Sequence, residues 1–212
     1  MFSRIINCVT LVCLPICIGC SFTTFQSPKT VNPGKVVFGL GVGGGLARFE
    51  EEVGPIVETN LYMRVGLTRN LDFGLRNITA YGFAGDLKYQ FSQEPSVAFS
   101  LGASYMTVPD IELHSGPPSV EETDRFFVVY PLLLVGEEKL YGGLRCTYWS
   151  ERCHGIWYSG TRTYKTFLPG IMVGAAMGKR FKIMPELNFS LVFSDEVVST
   201  GFVIMAGLGF QF

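Results

Sequence analysis

The sequence predicts an all-β protein: a closed, antiparallel, up-and-down transmembrane β-barrel of about ten strands. First, apolar residues recur at every second position over most of the chain from residue 35 onward, which is the period of a strand. Second, the 212 residues include 25 Gly, 18 Phe and 9 Tyr but only 17% charged residues. Mean hydropathy is +0.30, which is high for a soluble protein. Third, tight turns alternate along the chain with longer connections, as the two ends of a membrane barrel require.

The first twenty residues, "MFSRIINCVTLVCLPICIGC", predict a signal peptide over residues 1–19. Arg4 supplies a short positive region, and residues 5–18 are mostly apolar over a length too short to span a membrane comfortably. Ile18, Gly19 and Cys20 resemble the lipobox of bacterial lipoproteins, in which the chain is cleaved before the cysteine and the cysteine is acylated. Cys17 departs from that pattern, because the family usually has Leu there. The resemblance implies palmitate on Cys20, whereas an ordinary signal peptide that contains cysteines remains the alternative.

Residues 20–34 follow as a lipidated tether, because this stretch has two prolines, several hydroxyls and no periodicity. Of the six cysteines, only Cys146 and Cys153 then remain in the barrel region. A bridge between them needs Cα atoms within about 7 Å, and therefore a tight fold-back of the residues between them. We do not favour that bridge.

Period-two stretches define the predicted strands of the barrel over residues 35–212. Most set apolar residues on one face against glycine, polar or charged residues on the other, and the stretch at 125–136 is apolar on both faces. We also expect a bulge near Asn77, where the alternation slips. The ten stretches cover residues 35–50, 57–68, 71–81, 85–91, 96–106, 125–136, 140–149, 166–178, 181–193 and 201–212. A count of eight strands stays open if residues 76–91 are divided differently.

The alternation fits either a soluble β-sandwich, apolar face inward, or a membrane barrel, apolar face toward lipid. Small residues on the polar face and aromatic residues near strand ends favour the barrel. Odd-numbered connections are about five, three, sixteen, fourteen and six residues long, while even-numbered ones are about three to four. Membrane barrels have such short periplasmic turns and longer outer loops.

The last stretch, "GFVIMAGLGFQF", resembles the C-terminal assembly signal of bacterial outer-membrane β-barrel proteins. The matching residues are Phe202, Leu208, Phe210 and Phe212. "GLTRNLDFGL" is similar to the periplasmic hairpins of small barrels of this class. The resemblance, which is to an architecture, implies a place in the bacterial outer membrane, with outer-membrane lipid and the barrel-assembly machinery as partners.

Charged residues on the polar faces are predicted to form a network in the lumen. Its members are Glu58, Arg64, Asp72, Arg76, Asp86, Lys88, Arg145 and Glu186. Buried charges require partners, and a ten-stranded barrel is nearly filled by side chains. We therefore interpret the network as salt bridges that fill the interior, with a narrow solute channel as the alternative.

The predicted function is a structural or surface-interaction role through outer loops 108–123 and 151–163. His114 and His154 lie in these loops near Asp110, Asp124, Ser115 and Ser150. A rim-active enzyme resembling lipid A deacylases or omptin proteases is the alternative, but no spacing fixes a catalytic geometry. No cofactor or metal site is predicted. The net charge of −1 gives no basic face for nucleic acid.

Overall fold

The computed structural model describes residues 23–49, 52–78, 82–109, 123–137, 139–154, 161–194 and 200–212. These residues form ten antiparallel strands. The strands are β1 (Val36–Phe49), β2 (Glu52–Gly66), β3 (Leu71–Ile78), β4 (Gly82–Gln93), β5 (Ser96–Pro109), β6 (Thr123–Gly136), β7 (Leu140–His154), β8 (Thr161–Ala175), β9 (Lys182–Ser194) and β10 (Thr200–Gln211). Within the same ranges, no helix is long and apolar enough to cross a membrane.

Each strand pairs with its neighbours in sequence, and β1 pairs with β10 to close the barrel. The closing pair runs in continuous register, with Gly41 opposite Gly209 and Leu46 opposite Ile204. Phe38 and Phe212 exchange both backbone hydrogen bonds, at 3.1 and 2.9 Å. The predicted up-and-down barrel and the count of ten strands are confirmed.

The apolar face of the alternation points outward. On β4, Phe83, Leu87 and Phe91 are at least half exposed, while Asp86 and Lys88 between them are buried inside the barrel. Exposed large apolar side chains recur in this way on the other strands. A water-soluble barrel would show the reverse arrangement, whereas a transmembrane barrel places its apolar side chains against lipid.

The strands run further than their apolar residues indicate. β7 continues to His154 and β8 begins at Thr161, so the connection between them is residues 155–160, not the predicted fourteen. Polar residues such as Ser150 and Lys165 still pair across the ladder, because a strand continues hydrogen bonding above the apolar belt. Residues 151–154 and 161–163 of the predicted outer loop therefore belong to β7 and β8.

The asymmetry between the two ends is smaller than predicted. The β8–β9 connection spans residues 176–181, and only the β5–β6 connection, residues 110–122, is long. We call the end that carries the β2–β3, β4–β5, β6–β7 and β8–β9 connections the short-turn end. The opposite end, which carries the β5–β6 connection, is the long-loop end.

The predicted bulge near Asn77 is wrong. Asn77 pairs in unbroken register with Leu61 on one side and Phe83 on the other. The irregularity lies between β4 and β5, where the register shifts between Gln90 and Ser92. The slip in apolar alternation at Asn77 reflects a polar residue on the outward face near a strand end, and leaves the backbone ladder unchanged.

The interior is partly an apolar core. Strand β6, apolar on both faces in the sequence, directs Phe126, Val128, Tyr130, Leu132 and Leu134 inward, all at most 5% exposed. Two apolar clusters lie toward the long-loop end, and Trp149 packs against both. One contains Ala84, Met106, Phe126, Val128 and Tyr130, and the other contains Ala47, Ile56, Leu168, Val192, Val203 and Met205. We call them the outer clusters.

Residues 23–34, the N-terminal segment, lie inside the barrel. Thr23, Thr24, Phe25 and Gln26 are at most 4% exposed. Apart from a single bridge between Pro33 and Gly66, the segment pairs with no strand. Residues 20–34 are predicted as a tether, and their sequence does not indicate this position in the lumen, since the segment has no periodicity that would assign it to a wall.

Candidate functional site: the occupied lumen

A glycine groove between two glutamates runs across four adjacent strands. Glu58 on β2 lies opposite Gly43 on β1, Gly43 lies opposite Gly207 on β10, and Gly207 lies opposite Glu186 on β9. Because all four residues face the lumen in one row, the middle of the row has no side chains and its two sides carry carboxylates. The alternation predicted the glycine faces, but the row exists only once β1 pairs with β10.

Phe25 fills this groove. A Cβ atom added at Gly41 would collide with its ring, and one added at Gly207 or Gly209 would come within 2.8 and 2.6 Å of ring atoms. The ring also stacks on Tyr62, with centroids 6.5 Å apart and an angle of 18° between planes. The small residues on β1 and β10 thus make room for an aromatic side chain of the N-terminal segment.

The two glutamates accept hydrogen bonds from the backbone of the N-terminal segment. Glu186 accepts from the N–H of Thr24 at 2.7 Å and of Phe25 at 2.8 Å, one on each carboxylate oxygen. Asn188 supports it with a further bond of 2.9 Å. Glu58 accepts from the N–H of Thr23 at 2.9 Å and from the hydroxyl of the same residue. Three consecutive backbone donors are thereby satisfied by carboxylates, which gives strong hydrogen bonds.

Four charged side chains on β2, β3 and β4 form one ion-pair cluster. Arg64 lies 2.5 Å from Asp72 and 2.8 Å from Asp86, Lys88 lies 3.3 Å from Asp72, and each is at most 3% exposed. Arg76 joins the edge of the cluster, 3.6 Å from Asp86. Since each charge has an opposite partner, the cluster is stable in the interior where an isolated charge would not be.

The same cluster binds the rest of the N-terminal segment. Lys88 donates to the carbonyl oxygens of Ser27 and Lys29 at 3.0 and 2.8 Å, and Asp72 accepts from the N–H of Val31 at 2.9 Å. Closer to the short-turn end, Gln90 accepts from the N–H of Thr30 at 3.1 Å. Charges that the sequence presents as a lumen network therefore also act as partners for a peptide backbone.

The remaining predicted lumen residue, Arg145, lies apart from the ion-pair cluster. Its guanidinium carbon is 5.8 Å from the centroid of Tyr130, and that of Arg76 is 5.3 Å from the same ring. Its Nε donates to Thr147 at 3.0 Å. The structure therefore places all eight predicted residues on the inner wall, divided between the ion-pair cluster, the two glutamates of the groove, and the ring of Tyr130.

Little space is left around the N-terminal segment. A cavity of about 10 Å³ is lined by residues that include Thr23, Phe25, Asn60, Arg76 and Asp86. A volume of this size holds one water molecule at most. Among the described residues, this cavity beside the N-terminal segment has no room for a solute.

The residues considered for rim catalysis give no site geometry. His114, Asp110 and Ser115 lie outside the described residues, whereas Asp124, His154 and Ser150 lie on β6 and β7. In the part of the chain that the structure describes, no group of His, Cys, Asp or Glu could hold a metal ion. Cys20 also lies outside the described residues.

The two barrel cysteines do not form a bridge. Cys146 is a free thiol, and β7 runs without interruption through both Cys146 and Cys153. Residues seven apart on one strand are roughly 23 Å apart, well beyond the reach of a disulfide.

The closed sheet, the outward apolar wall and the buried charges define the chain as a small β-barrel of the outer-membrane class. No protein-family model matches the sequence, and the comparison with curated proteins also gives no match. Among solved structures, the chain is similar to Neisserial surface protein A, at 8% identity and a TM-score of 0.41 over 84% of this chain and 97% of that one. It is also similar to the attachment invasion locus protein Ail of Yersinia pestis, at 15% identity and a TM-score of 0.37 over 85% and 99% of the two chains. A third is the outer membrane protease OmpT of Escherichia coli, at 11% identity and a TM-score of 0.37 over 88% and 100%.

Proposed function

We propose that this protein is a non-conducting outer-membrane barrel with a structural or surface-interaction role, in which the rigid wall presents the β5–β6 connection outside the cell. The observation that carries the proposal is the filled lumen. The N-terminal segment, the ion-pair cluster and the outer clusters occupy the interior, and the cavity among them is about 10 Å³. A barrel whose described residues fill the interior in this way suits a scaffold better than a solute path.

Conductance in planar bilayers tests this role. The purified chain is expected to insert without discrete current steps, because ions need a continuous water-filled path. Heat-modifiable gel migration of the same preparation checks that the barrel is folded. Reproducible single-channel steps from folded protein would overturn the proposal in favour of a channel.

The side that faces the outside can be tested with inserted epitope tags. A tag placed within residues 110–122 is expected to be detected on intact cells, because the longest connections of membrane barrels lie outside. The control is a tag between Glu94 and Pro95, at the short-turn end, which should be detected only after the outer membrane is broken. The opposite result would contradict a surface role for the β5–β6 connection.

We also propose that Cys20 carries palmitate, on the strength of the lipobox resemblance. Three residues of chain reach about 11 Å at most, and Thr23 is bound at the Gly43–Gly207 row. Either rim of β1 lies roughly 15 Å from this row along the barrel axis, given six or more residues of tilted strand. Cys20 therefore reaches a lipid leaflet only when the N-terminal segment has left the lumen.

Metabolic labelling with palmitate tests the anchor. The variant Cys20→Ala should lose the label. Cys17→Ala, three residues earlier, should reduce the label little when equal amounts of exported protein are compared. Label that persists in Cys20→Ala would remove the lipid anchor and leave the scaffold role standing.

A further inference from the structure

We propose that the short-turn half of the lumen is a peptide-binding pocket, and that residues 23–34 are its exchangeable occupant. The ligand class is a peptide with one aromatic side chain, whose backbone at that residue is left-handed, with φ of 47° at Phe25. The proposal rests on the barrel of the proposed function, and a lipid on Cys20 that is inserted in a leaflet would hold the pocket in its vacated state. It goes further by assigning a binding site that is vacated and refilled.

The N-terminal segment is held mainly by side chains of the wall, as a bound ligand would be, and it is not a strand of the sheet. Only the bridge of Pro33 to Gly66 joins it to a strand, so its departure breaks no ladder between the ten strands. Its backbone is recognised by side chains of the wall: Glu58 and Glu186 at Thr23 to Phe25, and Lys88 and Asp72 at Ser27 to Val31. Recognition of backbone groups fixes the path of the chain but places few demands on its sequence.

The wall recognises one side chain of the segment, that of Phe25, by close packing. Phe25 is 1% exposed, lies over Gly41, Gly207 and Gly209, and stacks on Tyr62. A planar aromatic group fits between the glycine floor and the tyrosine, where a smaller side chain would leave a void. The slot therefore supplies the specificity that the backbone contacts lack.

The pocket is closed at one end. Beyond the Gly43–Gly207 row, toward the long-loop end, the wall carries Ala47, Ile56, Val203 and Met205 of the outer clusters. Trp149 joins the two outer clusters across the lumen. Departure of the N-terminal segment thus opens a blind pocket toward the short-turn end, and the barrel remains non-conducting.

Thiol labelling of the lumen-bound segment tests the proposal. The chain from residue 21 onward, which contains every described residue, is refolded with Cys146 and Cys153 replaced by Ser and with Gln26→Cys. Gln26 suits the probe because its Oε1 has no hydrogen-bond partner and its amide reaches Asp86 only at 3.4 Å. A membrane-impermeant maleimide should modify this cysteine slowly but to completion, since labelling requires the segment to leave.

Two additions distinguish exchange from a permanently buried segment. Glu186→Gln, which replaces an acceptor of backbone N–H bonds by an amide group, should raise the labelling rate about tenfold or more. A synthetic peptide TTFQSPKTVNPG at millimolar concentration, comparable with the effective concentration of a short tethered segment, should displace about half of the segment and accelerate labelling strongly. The same peptide with Ala in place of Phe should have little effect.

Matched variants complete the experiment. Glu137→Cys, exposed at the short-turn end, should be labelled at once, and Ala47→Cys, buried in an outer cluster, should resist labelling with or without peptide. Glu137→Gln should not change the rate at Gln26→Cys. Absence of labelling at Gln26→Cys, or acceleration that is equal for the Phe and Ala peptides, would overturn the proposal. Current steps in the conductance test would instead overturn the non-conducting role and leave these results standing.

Discussion

At the scale of single residues, three glycines on the inner face of β1 and β10 adjoin Phe25: Gly41, Gly207 and Gly209. They give up side chains so that Phe25 can lie against the wall, and the contact atoms include Cβ and Cγ of Phe25 near Gly209. Those atoms belong to the base of the side chain, which has little freedom to move. A methyl group added at Gly209 therefore has to displace the N-terminal segment.

Gly209→Ala is expected to destabilise the barrel by about 1–3 kcal/mol, the usual cost of overpacking a filled interior. Its Cβ would lie 2.6 Å from Cδ1 of Phe25, whereas a Cβ at Gly44, on the outward face, comes no closer than 3.8 Å to any atom. Gly44→Ala is thus the matched control and should leave stability nearly unchanged. Urea unfolding followed by heat-modifiable migration measures both, and equal midpoints would contradict the role assigned to the groove.

Some contacts of the charged lumen residues are indicated by the alternation in the sequence, and others are not. Alternation on β2, β3 and β4 indicates that Arg64, Asp72 and Asp86 share a face, and the register brings them into contact. Glu58 and Glu186 are different, because their backbone partners come from a segment with no periodicity. No signal in the sequence pairs these two residues with Thr23 and Phe25.

At the scale of elements, β10 both closes the barrel and carries the predicted assembly signal. Its outward face carries Phe202, Leu208 and Phe210, and Phe212 follows directly after the strand. Phe210 stacks on Phe181, with ring centroids 5.9 Å apart. Phe212 is 64% exposed, and its backbone forms the last hydrogen bonds of the closing pair. An aromatic side chain so exposed adds little to packing inside the barrel.

Phe212→Ala is expected to lower the amount of folded protein in the outer membrane several-fold while barely changing the stability of the fraction that folds. The control is Phe91→Ala, because Phe91 is 63% exposed on the outward face of β4. Fractionation and heat-modifiable migration measure the yield. Equal losses for both variants would show that Phe212 contributes only as one more lipid-facing side chain.

At the scale of the whole molecule, the apolar side chains on the outward face of the wall require a lipid bilayer around the barrel. Leu187 on β9 is 61% exposed at the level of the groove, and Leu140 at the start of β7 is 65% exposed near the short-turn rim. In water both side chains would tolerate a charge equally. In a bilayer the cost of a charge depends on depth.

Leu187→Arg should therefore destabilise the folded barrel in lipid vesicles by about 2–4 kcal/mol, and Leu140→Arg by no more than about 1 kcal/mol. Reversible denaturant unfolding in vesicles of one lipid composition gives both values. A similar, small effect at the two positions would contradict a membrane-spanning wall.

Alternation in the sequence predicts a barrel of about ten strands, with eight as the alternative, and also the face that meets lipid and the candidates for the lumen network. These properties follow from local alternation, since period two assigns each side chain to one of two faces. The predicted end of β7 and start of β8 are wrong, because polar residues can remain paired beyond the apolar belt. The alternation also predicted a bulge at Asn77 that the ladder does not contain.

The occupant of the lumen follows from tertiary contacts that local alternation does not specify. The row from Glu58 to Glu186 depends on closure between β1 and β10, two strands at opposite ends of the chain. The N-terminal segment enters that row without a pattern of its own, and its position is set by backbone hydrogen bonds to side chains far away in sequence. Alternation specifies which side of a wall a residue occupies, whereas contacts across a closed interior depend on the register of every strand around it.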